Sequence, residues 1–126
     1  MKPLTTLRIG EIPEEESPQR WLIEKLWGSS SVGIIGGCPK LGKSWLGLDM
    51  AVSVASATDC LGVFPVADPG AVLVYLAEDA LPILRERVAG LARHRRLSLG
   101  SIDMHVITEP VLRLDTEPDR ERLLET

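Results

Sequence analysis

Val32-Gly33-Ile34-Ile35-Gly36-Gly37-Cys38-Pro39-Lys40-Leu41-Gly42-Lys43-Ser44 is the stretch that decides the fold: a short β-rich run, a glycine-bounded loop and the start of a helix. Its last residues, from Gly37 to Ser44, match the pattern G-x-x-x-x-G-K-[ST]. Glycines at that spacing let backbone N–H groups turn inward around a phosphate, and the helix that follows points its partially positive N-terminus at the same anion. At this composition the pattern arises by chance in about three of a thousand such chains. The apolar run before it and the amphipathic stretch after it make a glycine-rich turn without a ligand the weaker reading. In this loop Lys43 reaches the β- and γ-phosphates of a nucleotide such as ATP, and the Ser44 hydroxyl ligates Mg²⁺. The candidate nucleotide-binding set is Gly37, Cys38, Pro39, Lys40, Leu41, Gly42, Lys43, Ser44 and Trp45. Pro39 belongs where no N–H donor is required, and Cys38 reads as a small residue that fits the turn rather than as a redox thiol.

Working outward, Ser44 to Ala57 is expected to be helical, with Trp45, Leu48, Val52 and Ala55 on one face. Residues 60 to 70 hold Gly62, Pro65, Pro69 and Gly70 and form a loop. Val72-Leu73-Val74-Tyr75-Leu76 is the uninterrupted apolar run of a strand covered on both faces. Leu81, Leu84, Val88 and Leu91 mark a second helix, and Ile102, Met104 and Val106 alternate with Asp103 and His105 in a third strand. Helical crossovers between strands imply an α/β fold with a parallel sheet and flanking helices. Thr116-Glu117-Pro118-Asp119 has the form of a helix start with Thr116 as N-cap, and the helix runs to Thr126 without a stop signal.

Glu78 and Asp79 follow the run 72–76 and so lie at the carboxyl end of a strand, where ligands bind in open α/β sheets. A carboxylate there can polarise a water for attack on a γ-phosphate. We assign that catalytic role to Glu78, beside Lys43, and read Asp79 as the cap of the next helix.

The rest of the chain bounds the answer. It has 126 residues, 14 Lys+Arg against 18 Asp+Glu, a net charge of −4 and 44% hydrophobic residues, which is the composition of a folded domain. Mild acidity argues against a surface built wholly for nucleic acid. No apolar run is long enough to span a bilayer, so no membrane role is expected. Two cysteines, Cys38 and Cys60, are too few for a disulfide framework, and a cytoplasmic setting is the default. Residues 1–20, with Glu11, Glu14, Glu15, Glu16, Pro3, Pro13 and Pro18, read as a flexible acidic leader. Trp21 to Trp27 is apolar enough to pack on a core. Arg85, Arg87, Arg93, Arg95 and Arg96 read as a solvated helix face, with a DNA-facing or subunit-facing patch as the alternative. His94 and His105 lack partners at metal-ligand spacing.

Trp21-Leu22, the loop Gly37 to Trp45, Phe64-Pro65-Val66 through Gly70, and Leu76-Ala77-Glu78-Asp79 with Arg85 and Arg87 together resemble the bacterial AAA-family ATPases of the RepA type. These are RecA/DnaB-like P-loop proteins, represented by a plasmid-encoded hexameric replicative helicase. The resemblance covers residues 21–126 and implies a RecA-like core, a nucleotide-binding Lys43 and Ser44, Glu78 as catalytic glutamate, and ATP hydrolysis coupled to work on DNA in a homo-oligomeric ring. Such enzymes also carry a Walker B strand ending in aspartate and an arginine reaching a neighbouring subunit's site. Val111-Leu112-Arg113-Leu114-Asp115 is too close to the preceding strand to be Walker B, because a parallel crossover needs about a dozen residues. The expectation is therefore a partial core that ends before that strand. A P-loop small-molecule kinase and a non-catalytic nucleotide-binding module are the competing readings.

Overall fold

A computed structural model describes residues 1–14 and 20–126 of the chain. Of the expected leader, Glu15, Glu16 and Pro18 lie outside the described residues. Over residues 1–14 no side chain is buried, and a single 3-10 turn forms at Ile9–Glu11, where the Glu11 carboxylate accepts the Arg8 N–H at 3.0 Å.

The apolar stretch around the tryptophans folds into a short antiparallel pair, β1 (Trp21–Ile23) and β2 (Trp27–Gly28). Lys25, at φ 62°, makes the left-handed step of the turn between them. The loop from 60 to 70 is tied to this pair: Glu24 N–H donates to Pro65 O at 2.8 Å and Ala67 N–H to Leu22 O at 2.9 Å. Ile23, fully buried, packs with Val54 and Cys60 in a small core of its own.

Helix α1 (Lys43–Ser56) buries Leu48, Val52, Ser53 and Val54. It ends at Ala57, whose left-handed backbone returns its N–H to Ser53 O. Helix α2 (Leu81–His94) starts with Pro82 in its first turn, buries Leu84, Val88 and Ala92 at a spacing of four, and carries Arg93 and His94 where the helix dipole favours cations. The main core joins these stripes: Leu48 and Val52 of α1, Leu84, Val88 and Ala92 of α2, and Ile102. Burying each of the larger side chains contributes about 1.5–3 kcal/mol.

Between the helices run β3 (Val72–Val74) and β4 (Met104–Val106), paired in parallel with Val72 opposite Met104 and Val74 opposite Val106. A strand, a crossover helix and a parallel partner form the expected βαβ unit. Helix α3 (Glu117–Glu125) closes the chain and buries no residue.

Three expectations change. Residues 32–36 join no sheet among the described residues: Val32 is 100% and Ile34 92% exposed. A β-rich run becomes a strand only when a neighbour takes its N–H and C=O groups, and here solvent is open to them. The segment lies instead against the Trp27 ring at Gly33, where an added Cβ would collide with that ring. The run 72–76 forms a strand only over β3, and Leu73 is 47% exposed, so one face is covered rather than both. Thr116 occupies the N-cap position of α3 without capping it, because its hydroxyl donates to Arg113 O at 2.9 Å.

Candidate functional site

The loop from Gly37 to Gly42 is exposed throughout, and its turns are set by two left-handed residues, Lys40 at φ 64° and Gly42 at φ 85°. Gly42 is the residue that swings the chain into α1, and its carbonyl accepts the Leu46 N–H at 3.0 Å. No side chain caps the first amides of α1. Among the described residues they are therefore donors without a protein partner at the positive end of a helix dipole. Lys43 folds back over the loop, its Nζ donating to Gly37 O at 2.6 Å. Ser44 follows in the exposed first turn.

Gly42 offers a direct test of this turn. An added Cβ there meets nothing within 4 Å, so Gly42→Ala should lose only backbone freedom. A left-handed alanine costs about 1–2 kcal/mol, and the urea midpoint should fall accordingly. An unchanged midpoint would show that the loop does not need this conformation.

Trp45, expected on the core face, is instead 46% exposed. The Arg87 guanidinium lies over its ring, 5.4 Å from the centroid. The same guanidinium donates to Asp79 Oδ2 at 2.7 Å, so Asp79 forms an ion pair rather than the cap of α2. The N-cap residue is Ala80, and the exposed Glu78 sits in the bend just after β3. Trp45 adjoins Ser44, and Asp79 adjoins Glu78. The chain Trp45–Arg87–Asp79 thus brings the carboxylate bend up to the first turn of the loop helix.

The arginine cluster does not form one solvated face. Arg95, 9% exposed, pairs with Asp49, 13% exposed, at 2.7 Å. It also donates to Ser53 Oγ at 2.9 Å and Thr58 Oγ1 at 3.1 Å, locking the C-terminus of α2 to α1. Burial alone would raise the Asp49 carboxyl, but hydrogen bonds from Arg95 and the Leu61 N–H, with the Arg95 charge, hold it below its ordinary value. Burial, reinforced by the Asp49 carboxylate, pushes the neighbouring Cys60 thiol up to about 11, which makes it an inert thiol. Cys38 is exposed and free.

Asp115 lies in a turn, not at a strand end, and pairs with Arg113 at 2.8 Å. That bond holds its carboxyl below the ordinary range. Among the described residues no group of three or more His, Cys, Asp or Glu gathers to hold a metal, and no helix is long and apolar enough to cross a membrane.

A left-handed glycine that turns the chain into an uncapped helix, with a lysine ammonium folded over the loop, defines a P-loop-like element in a small α/β protein. A family model described as AAA domain matches residues 2–125, and the chain belongs to that family. Membership brings nucleotide binding and ATPase-type function, with the general use of nucleotide and Mg²⁺. No curated protein and no solved structure matches the chain.

Sequence reasoning missed Arg87 and Arg95 as individual actors. A signal for Arg95 was present in Asp49, a carboxylate flanked by Leu48 and Met50 on a helix whose far end is apolar. Nothing comparable marked the pairing of Arg87 with Asp79 across the start of a helix.

Proposed function

We propose that the chain is the nucleotide-binding part of a cytoplasmic P-loop ATPase of the RepA type, coupling ATP hydrolysis to action on DNA in a homo-oligomeric ring. The observation that carries the reading is the meeting of two parts: a helix N-terminus with free amides behind Lys43, and a carboxylate bend at the end of β3 linked to that helix through Arg87. The donor set fits a nucleoside triphosphate with Mg²⁺, since backbone amides and an ammonium suit phosphate oxygens and the Ser44 hydroxyl suits a hard cation. Mg²⁺, held through the Ser44 hydroxyl, would supply positive charge against the phosphates during transfer. Lys43 exchanges its Gly37 partner for phosphate oxygens. Glu78 orients a water toward the γ-phosphorus and accepts its proton as the new P–O bond forms and the bond from the γ-phosphorus to the β–γ bridging oxygen breaks, which releases ADP and inorganic phosphate.

Phosphate release from ATP tests the reading. In the ring, DNA is expected to raise turnover severalfold. The isolated 126-residue chain is expected to turn ATP over slowly or not at all, because Asp115, its one Walker B candidate, lies in a turn and pairs with Arg113 instead of standing at a strand end. Turnover indifferent to DNA would remove the DNA-motor reading, and phosphate appearing on a metabolite would replace it with a kinase. The turn placement of Asp115 favours a second reading, a binding module without chemistry, which ATP binding with no turnover under any condition would select.

A further inference from the structure

Arg87 makes two contacts that neither the core nor the P-loop requires. Its Nη1 donates to Asp79 Oδ2 at 2.7 Å, and its guanidinium carbon stands 5.4 Å from the centroid of the Trp45 ring. Both partners of the ion pair are roughly a quarter exposed, where such pairs add little to global stability. Its local effect is larger. Among the described residues, the bend at 77–79 takes no other hydrogen bond, so between Leu76, packed on the core, and Ala80, held by α2, this ion pair is the polar tie on the segment that carries Glu78. Trp45 is an unusual anchor, a large apolar ring left half-exposed beside Ser44 rather than turned into the core. The planar cation of an arginine can pair with a carboxylate in its plane and cover an aromatic ring with its face at the same time.

We propose that Arg87 is a positioning residue of the ATPase site, tying the Glu78 bend to the first turn of the P-loop helix through Asp79 and Trp45. The inference rests on the ATPase reading above, because it assigns Arg87 a role only if Glu78 must face a phosphate held at that turn. Arg87 itself touches no substrate. It sets where the Glu78 carboxylate stands relative to the phosphates, so it matters for binding a transferring phosphoryl group and not for binding a diphosphate.

Affinities for Mg·ADP and for Mg·ADP with aluminium fluoride, which imitates the transferring phosphoryl group and its water, separate these roles. The unaltered chain should bind the fluoride complex more tightly than ADP. Arg87→Gln should leave ADP affinity within about twofold and weaken the fluoride complex about tenfold. Arg87→Lys, which keeps the cation, should recover most of the loss, and Asp79→Asn should reproduce it. Adding Arg87→Gln to Glu78→Gln should cost nothing further, since both act on one carboxylate. The proposal is overturned if the unaltered chain binds the two ligands equally, if Arg87→Gln weakens both alike or neither, or if the double variant loses the full product of the single losses. It is also overturned if Arg87→Gln and Asp79→Asn both unfold the chain, which would make the link structural. Failure of the ATPase reading looks different: the unaltered chain then binds neither ligand.

Discussion

Lys43→Ala is expected to weaken binding of Mg·ATP by about ten- to a hundredfold while leaving the fold intact. The size follows from what the ammonium meets. Among the described residues its only partner is the Gly37 carbonyl, on an exposed loop, so its removal strands no buried group. Surface changes of that kind move stability by no more than about 0.5 kcal/mol. Against a triphosphate the same ammonium would make charge-assisted hydrogen bonds, each worth about 1.5–3 kcal/mol, and every 1.4 kcal/mol is about tenfold in affinity. Calorimetric titration with Mg·ATP, alongside urea unfolding, measures both quantities on one preparation. Equal affinity in the variant would mean that Lys43 does not face the phosphates, and the nucleotide site would have to be sought elsewhere. A large loss of stability would point to a structural lysine instead.

The loop around Lys43 was legible in the sequence because its requirements are local. A left-handed turn into a helix needs glycine at one position, and Gly42 supplies it at φ 85°. The two longer helices were legible for a similar reason: Leu48 and Val52 in α1, and Leu84 and Val88 in α2, repeat at the helical period and all are buried. Non-local choices were not legible. Val32 to Gly36 has strand composition, yet strand formation depends on which neighbour is present, and composition carries no such information. Asp79 satisfies every local rule for a helix cap, but a guanidinium from the next turns of α2 offered a charge-assisted bond, and that bond took the carboxylate. Arg95 sits among arginines in sequence and among α1 and the following turn in space, so its burial follows from tertiary packing rather than from charge pattern.

That burial sets the second large effect. Asp49→Ala would leave the Arg95 guanidinium, 9% exposed, facing Ser53 and Thr58 with no counter-charge. Breaking a buried ion pair from one side costs about 3–5 kcal/mol, a large share of the roughly 5–15 kcal/mol that holds a domain together. The carboxylate also accepts the Leu61 N–H at 2.8 Å, so the turn after α1 loses its tether in the same step. Asp49→Leu combined with Arg95→Met should be far milder than either single change, because no charge is then left unpaired. The Asp49 carboxyl is held below its ordinary value of 3.8 in the folded chain, so the unfolded chain takes up its proton first as pH falls. Its contribution is complete above pH 3.8 and is lost as pH drops through the lower folded value, and in Asp49→Asn that part of the acid dependence should vanish. Urea midpoints measured from neutral pH to pH 2 distinguish the outcomes: an Asp49→Ala midpoint equal to that of the unaltered chain would show that the two helices are joined by the apolar stripe alone.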